Sequence, residues 1–199
     1  MFELLLFANL QNLLPKKLLR TRKRLNVSGI DLDYVDKIGK LDGRRAILPG
    51  KTIFGKPRIA TYIGNLCESV TFGWSKSRFK KNAKLQPRKN NTKYPKVYKH
   101  LLYIASIFFP DFKFDSITLN HNLKCEPHKD GNNVGESIIV GFGNYENGNL
   151  NIEGESIDIK YKPYKFNGSE KTHYTEEWTG DRWSSVFYKS QYFFELENL

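Results

Sequence analysis

Beyond residue 114 the chain breaks into short β-forming runs joined by turns of Gly, Asn and Pro, and this pattern restricts the fold more than any other. The runs are 116–122, 124–130, 137–143, 148–152, 156–161, 164–167, 171–175 and 182–188. Strands this short and this closely spaced suit a β-sandwich or jelly roll. Alternate residues of a strand face the same way, so His128 and Asp130 of His128-Lys129-Asp130 aim at one point. An imidazole and a carboxylate converging there are two ligands of a metal site that needs a third.

One long helix precedes the β region. Pro95 opens it, Val97, Leu101, Ile104, Ala105 and Phe108 repeat along one face, and Pro110 closes it. His100 lies off that face and reads as a surface or capping residue. Another helix is expected over 2–14, with Leu6, Leu10, Leu13 and Leu14 as its apolar stripe and Pro15 ending it. Between 28 and 65, Gly and Pro punctuate short runs such as Ala46-Ile47-Leu48 and Ile59-Ala60-Thr61-Tyr62, which suit strands with tight turns.

Charge divides the chain in two. Residues 1–119 carry 24 Lys/Arg against 8 Asp/Glu, a balance of +16, and residues 120–199 carry 8 against 13, a balance of −5. The basic half suits a polyanionic partner. A cluster from Lys16 to Arg24 reads equally well as a nucleic-acid or acidic-membrane contact and as a solvated helix end. Residues 74–99 hold ten basic residues and no acidic one, with Trp74, Phe79, Tyr94 and Tyr98 interleaved. Cations for phosphates and rings for bases are the composition of a nucleic-acid surface, and a solvated loop is the plainer alternative. The apolar N-terminal stretch is too short to span a membrane and lacks the flanks of a signal peptide. With two cysteines, Cys67 and Cys125, an intracellular, reducing location is expected.

A third ligand is at hand. His173 lies 45 residues beyond His128, in the β-like run Lys171-Thr172-His173-Tyr174-Thr175. Nine residues later Arg182-Trp183-Ser184 opens the last strong strand, where Arg182, Ser184, Val186 and Tyr188 share one face. Two histidines and a carboxylate on one side of a metal leave adjacent positions open, as non-haem Fe(II) oxygenases require. An Arg one strand away, beside a hydroxyl, suits the far carboxylate of a dicarboxylic co-substrate. Singly, each residue has an ordinary structural role: a turn for His128, an Asx-turn for Asp130, a buried core imidazole for His173. It is their joint order and spacing that carries the site.

This H-x-D, distal His and R-x-S arrangement on a β-rich half resembles the Fe(II)/2-oxoglutarate-dependent dioxygenase superfamily. The resemblance implies an α+β fold with a double-stranded β-helix (jelly-roll) core, N-terminal helices and short strands packed on it. It implies one domain over 1–199, with 1–115 as a basic substrate-recognition region and 116–199 as the catalytic core. Iron on His128, Asp130 and His173 is implied, as is 2-oxoglutarate held by Arg182 and Ser184 with Asn120 nearby, and O2 as oxidant. The stretch His128 to Leu150, with Phe166-Asn167-Gly168 and His173 after it, is similar to the Tet/JBP group, which oxidises the methyl of 5-methylpyrimidines in DNA or RNA. Asn133 matches the position of a base-reading Asn in that group, with Asn132 and Ser137 beside it. Phe54-Gly55-Lys56-Pro57-Arg58 and Ala60-Thr61-Tyr62-Ile63-Gly64 resemble the nucleotide-recognition region of AlkB-type dealkylases, which implies that Arg58 lies near the nucleic acid.

The departures narrow the choice. AlkB-type enzymes end in R-x-N-x-T-x-R, whereas the last strand here reads Arg182-x-Ser184-x-Val186-x-Tyr188, and Gly148-Asn149-Leu150 replaces the R-x-F between the strands. The methyl-oxidising branch is therefore preferred to the dealkylating one. A prolyl-type protein hydroxylase would more often place Lys where Arg182 stands, and a catalytically dead binding scaffold would not keep all three ligands and the Arg. The expected protein is a monomeric dioxygenase acting on DNA or RNA bases, with no membrane partner.

Overall fold

Regular alternation of apolar and polar side chains gives the main sheet two different faces. The computed structural model describes residues 2–14, 40–42, 45–51, 57–61, 68–76, 83–125 and 127–197. Six antiparallel strands form this sheet in the order β10-β7-β12-β6-β4-β5. They are β4 (Glu68–Ser75), β5 (Gln86–Pro87), β6 (Ser116–His121), β7 (Asn133–Asn147), β10 (Tyr164–Phe166) and β12 (Trp178–Ser190).

On one face, Val70, Phe72, Ile117, Leu119, Val140, Phe142 and Phe187 pack against two helices, α1 (Phe2–Leu13) and α3 (Pro95–Phe108). Phe7 and Leu10 of α1, with Val97, Leu101 and Ile104 of α3, complete that core. His100 ties the two helices together, its Nε2 lying 2.9 Å from the Leu6 carbonyl oxygen. The other face carries Ser69, Thr71, Thr118, Asn120, Ser184 and Tyr188, which line a cavity. Hydroxyls and amides in these positions could not serve as a dry core. Five of them bond one another in rows across the strands: Ser69 Oγ donates to Asn120 Oδ1 at 2.8 Å, Thr71 and Thr118 hydroxyls are 3.1 Å apart, and Thr118 and Tyr188 hydroxyls 3.3 Å.

A second antiparallel sheet, ordered β11-β8-β9, is built from β8 (Leu150–Ile152), β9 (Glu155–Ile157) and β11 (His173–Thr175). Leu150, Ile152 and Ile159 cluster with Ile139 and Phe166 of the main sheet. The result is the expected α+β, jelly-roll architecture. A separate antiparallel meander comprises β1 (Lys40–Asp42), β2 (Arg45–Lys51) and β3 (Pro57–Thr61). Two short helices remain, α2 (Lys89–Lys93) and α4 (Phe193–Leu196). Among the described residues no helix is long and apolar enough to cross a membrane.

Four expectations are corrected. Among the described residues of 124–130 no strand forms, and His128 makes an isolated bridge to His173. Asn122 takes a left-handed conformation (φ 48°) and exchanges hydrogen bonds with Arg182, which turns the chain off the sheet. Pro127 then removes a ladder donor. In α1 the buried stripe is Leu6, Phe7 and Leu10, while Leu13 is exposed, because the helix presents a Phe edge to the core. Tyr94 and Tyr98 do not offer their rings to a ligand. They pack on the helix-side core, Tyr98 stacked on Phe72 at 5.4 Å, since both fall on the inward face of the helix start. Finally, β4 and β5 belong to the main sheet although they lie upstream of residue 116, because Glu68–Ser75 alternates as cleanly as the later strands.

Asp115 locks the far end of this sheet. Its buried carboxylate accepts the Ser190 amide hydrogen at 2.6 Å and the Ser190 hydroxyl at 2.5 Å, joining the end of β12 to the start of β6. Hydrogen bonds to a buried charge are among the more valuable ones, so Asp115→Ala is expected to cost about 2–4 kcal/mol. Urea unfolding followed by tryptophan fluorescence measures it, and a midpoint matching the wild type contradicts this role.

Candidate metal centre and buried cation

His128 and His173 face each other across two reciprocal backbone hydrogen bonds, His128 N–H to His173 O and His173 N–H to His128 O, both 3.0 Å. Residues paired this way project side chains to the same side, and the two ring centroids are 4.3 Å apart. Asp130 is placed two residues on, its amide donating to Gly168 O at 2.8 Å. His128 Nε2 lies 3.6 Å from Asp130 Oδ1, and His173 Nε2 lies 3.7 Å from Asp130 Oδ2. The three ligand atoms all fall within 4.8 Å of one another.

Donors bound to one ion at about 2.1 Å stand roughly 3–3.5 Å apart, so a small contraction closes this cluster on a metal. Two imidazoles and a carboxylate suit a first-row divalent ion. The surroundings prepare them. His173 Nδ1 lies 3.0 Å from the Lys171 carbonyl oxygen, which places the proton on Nδ1 and leaves Nε2 with its lone pair. Phe166 packs edge-on against the same ring at 4.9 Å. Asn133 Nδ2 donates to Asp130 Oδ2 at 3.1 Å. Gly168 leaves room for the cluster: a Cβ there would sit 3.3 Å from both Asp130 Oδ2 and His173 Cε1.

The cluster opens on the cavity between the sheets, a space of about 780 Å³, within the ordinary range for ligand sites. Asn120, Ser184, Asn132 and Asn133 all line it. Asn133 commits one amide hydrogen to Asp130, while Asn132 is exposed at the rim. Ser137 is fully buried, and its hydroxyl has no partner among the described residues. Arg58 lies in β3, but its side chain is outside the described residues, as are Phe54, Gly55, Lys56 and Tyr62–Gly64.

Arg182 does not reach the cavity wall. It is 2% exposed, with its guanidinium between the rings of Tyr145 and Trp178, at 5.5 and 5.6 Å. Its Nε–H donates to Gly148 O at 3.0 Å. Gly148 makes that approach possible, since a Cβ there, already strained at φ +69°, would stand 3.0 Å from Arg182 Nε. No carboxylate among the described residues pairs with the guanidinium. Burial pulls its pKa down, opposed by Tyr145 and Cys125. Cys125, whose charge acts on the guanidinium, lines the cavity, as does Leu150, two residues from Gly148.

Tyr145 is a residue that the sequence reading passed over. Burial pushes its pKa up to about 12, so the hydroxyl keeps its proton. That proton has no acceptor among the described residues, although the hydroxyl is buried. The signal was available: Gly141, Gly143 and Tyr145 alternate along β7, and the Tyr145 hydroxyl folds back over Gly141, where a Cβ would stand 2.3 Å from it. Arg182 and Tyr145 thus lie buried side by side, the guanidinium bonded to Gly148 O and facing the Tyr145 hydroxyl, whose own proton has no acceptor among the described residues.

No protein-family model matches the sequence, and no curated protein does. Among solved structures, the chain is similar to NgTET1 in complex with 5mC DNA, with a TM-score of 0.44 and 14% identity over 62% of this chain. It spans 61% of the length of that protein. It is also similar to an oxidoreductase of the 2OG-Fe(II) oxygenase family from Burkholderia pseudomallei, with a TM-score of 0.40 and 12% identity over 63% of this chain and 68% of that one.

Co(II), whose visible spectrum reports its coordination, tests the centre. His128→Ala and Asp130→Ala are each expected to abolish stoichiometric binding, and Asn133→Ala to weaken it by about tenfold through loss of its hold on Asp130. Full binding by both ligand variants would remove the site from consideration.

Proposed function

We propose that this chain is an Fe(II)- and 2-oxoglutarate-dependent dioxygenase acting on a nucleic-acid base, most specifically on the 5-methyl group of a pyrimidine, 5-methylcytosine or thymine. The observation that carries the reading is the pairing of two features around one cavity. A two-histidine, one-carboxylate cluster opens on it, and a buried guanidinium with no carboxylate partner among the described residues lies within electrostatic reach of Cys125 on its lining.

With iron, 2-oxoglutarate and O2 bound, such a centre decarboxylates the co-substrate to succinate and CO2 and inserts one oxygen atom into a substrate C–H bond. The chain's own residues supply position and electrostatics. His128, Asp130 and His173 would hold the metal, with Lys171 O and Asn133 fixing the orientation of His173 and Asp130. Arg182 and Tyr145 would together take the far carboxylate of the co-substrate, supported by Ser184 and Asn120 on the cavity wall. No side chain need act as a nucleophile or strong base. The polar inner face of the sheet favours a substrate rich in hydrogen-bonding groups over an aliphatic one. A base within a duplex would have to leave the stack to reach the cavity, so single strands or flipped bases are the expected form. Asn132 and Asn133, at the rim, are the candidates for reading that base.

The decisive assay incubates the protein with thymine- and 5-methylcytosine-containing DNA and RNA, Fe(II), 2-oxoglutarate and ascorbate, followed by mass spectrometry of the digested nucleosides. A hydroxylated pyrimidine is expected. Succinate release with no modified pyrimidine would overturn the substrate, and no succinate with any substrate would overturn the enzyme. Arg182→Lys removes the fork that matches a carboxylate. It is expected to raise the KM for 2-oxoglutarate by about 10–100-fold, with Tyr145→Phe giving a smaller rise in the same direction. Unchanged KM values in both variants would contradict this placement of the co-substrate.

A further inference from the structure

Of the ten basic residues between 74 and 99, the structure brings Lys76 and Arg88 to the cavity. Lys84, Lys89, Lys93, Lys96 and Lys99 are exposed, and residues 78, 80 and 81 lie outside the described residues. Lys76 is already neutralised by an ion pair with Glu195 and sits over the Tyr192 ring. Arg88 is different. It is half-buried, its Nε is fully buried without a hydrogen-bond partner, and no ion pair engages its guanidinium among the described residues. A desolvated guanidinium N–H left unmatched is costly, and here it stands on the wall of a cavity.

The wall explains what would match it. Among the described residues Asp130 is the lone carboxylate lining the cavity, and it belongs to the metal cluster. Arg88 is anchored on the opposite edge, its amide donating to Gly73 O at 2.8 Å. Gly73 pairs with Ser116, which pairs with Tyr188, so Arg88 stands beside the end of the hydroxyl row Thr71, Thr118, Tyr188. A ligand reaching from the metal cluster to Arg88 therefore meets an imidazole–carboxylate centre, then hydroxyls, then an unmatched planar cation.

We infer that Arg88 is the phosphate-binding residue of the substrate cavity, gripping a phosphodiester next to the nucleotide whose base is presented to the metal. The Thr71, Thr118 and Tyr188 hydroxyls bond the sugar and base edge between the two ends. This inference rests on the nucleic-acid reading above and gives it a direction: the backbone lies along β4 and the target base points toward His128 and His173. Ten scattered charges would confer only a diffuse attraction, whereas a buried fork fixes one phosphate and hence the register of the strand.

The test is the salt dependence of binding of fluorescein-labelled short single-stranded DNA and RNA to the full chain. Arg88→Gln keeps the bulk and removes the charge. It is expected to weaken binding by about tenfold and to lower the slope of log affinity against log salt by about 0.7, the share of one phosphate in a single strand. Arg88→Lys keeps the charge and loses the fork, so the slope is retained while affinity falls. Lys96→Gln, on the surface, is the comparison and should change affinity by less than about twofold. Co(II) uptake at wild-type stoichiometry reports that each variant is folded. A slope and affinity for Arg88→Gln equal to those of Lys96→Gln would overturn the assignment while leaving the enzyme reading intact. Wild-type protein that binds neither strand, or an acidic peptide that competes as well as DNA, would overturn the assignment and the nucleic-acid reading together. Succinate release would then still report separately on the oxygenase chemistry.

Discussion

The reciprocal hydrogen bonds between His128 and His173 are the interaction on which the rest of the structure depends. Among the described residues a single bridge, His128 with His173, joins the segment before β7 to β11, and it carries both imidazoles; the Thr175 amide adds one hydrogen bond to Cys125 O. Were the segment a full strand, its side chains would be committed in alternation to a continuous ladder. As an isolated bridge it needs only to bring two rings together, after which the chain is free to turn at Gly131 and present Asp130. The same contact joins the segment leaving β6 to the sheet that covers the cavity. Local backbone pairing thus sets the separation of the ligand atoms more firmly than any side-chain packing could.

The second constraint is the division of labour between the faces of the main sheet. Phe72, Ile117, Leu119, Phe142 and Phe187 commit one face to the helices, where burial of large apolar side chains stabilises the fold. With stability supplied there, the inner face is free to carry Ser69, Thr71, Thr118, Asn120, Ser184 and Tyr188. A closed sandwich with those residues inside would bury hydroxyls with too few partners. Cross-strand bonding between them satisfies the floor without filling it, and the space above remains a cavity. The price is rigidity of sequence: register shifts of one residue would put Phe72 or Ile117 into the cavity and Thr71 or Thr118 into the core.

Much of this was legible in the sequence, and the reason is the period of two. Ser-Ile-Thr-Leu-Asn over 116–120 and Arg-Trp-Ser-Ser-Val-Phe-Tyr over 182–188 declare their strands, and Pro95 and Pro110 bracket a helix that runs Pro95–Phe108. The spacing of His128, Asp130 and His173 was likewise sufficient to nominate a cluster. Less legible was whatever depends on contacts distant in sequence. The run 124–130 has strand-like composition, but its pairing is decided by the turn at Asn122 and by Pro127. Tyr94 and Tyr98 resemble the interleaved aromatics of a binding surface until Phe72, from another element, is seen to need them. Arg88 is indistinguishable from nine other basic residues in the chain order, because burial of its Nε arises from the apposition of β4 and the segment leading into α2. Tyr145 went unnoticed because a lone tyrosine near a strand end carries no signal by itself. Its meaning appears only when Gly141 is found beneath its hydroxyl and Arg182 beside it.

Arg182 and Tyr145 also show how specificity and stability are linked in this chain. A buried cation without a counter-charge burdens the folded state, and so does a buried hydroxyl proton without an acceptor. Natural cores remove such groups unless something else requires them. Here their surroundings hold them in place: Gly148 is shaped around the guanidinium, Trp178 and Tyr145 flank it with ring faces, and Gly141 gives the hydroxyl its room. A ligand carboxylate arriving at that point would recover the cost at once, so its affinity includes relief of a defect as well as new contacts. A ligand lacking the carboxylate recovers nothing, which is how an unmatched donor pair rejects analogues more sharply than an apolar pocket does. The same logic extends to Arg88 at the opposite edge. On the proposed reading, Arg182, enclosed and without a carboxylate partner among the described residues, suits a small dicarboxylate, and Arg88, on the cavity lining, suits a phosphodiester that continues into solvent. His128, Asp130 and His173 line the same cavity as Arg88, so the two anion positions would orient co-substrate and substrate toward the same atoms.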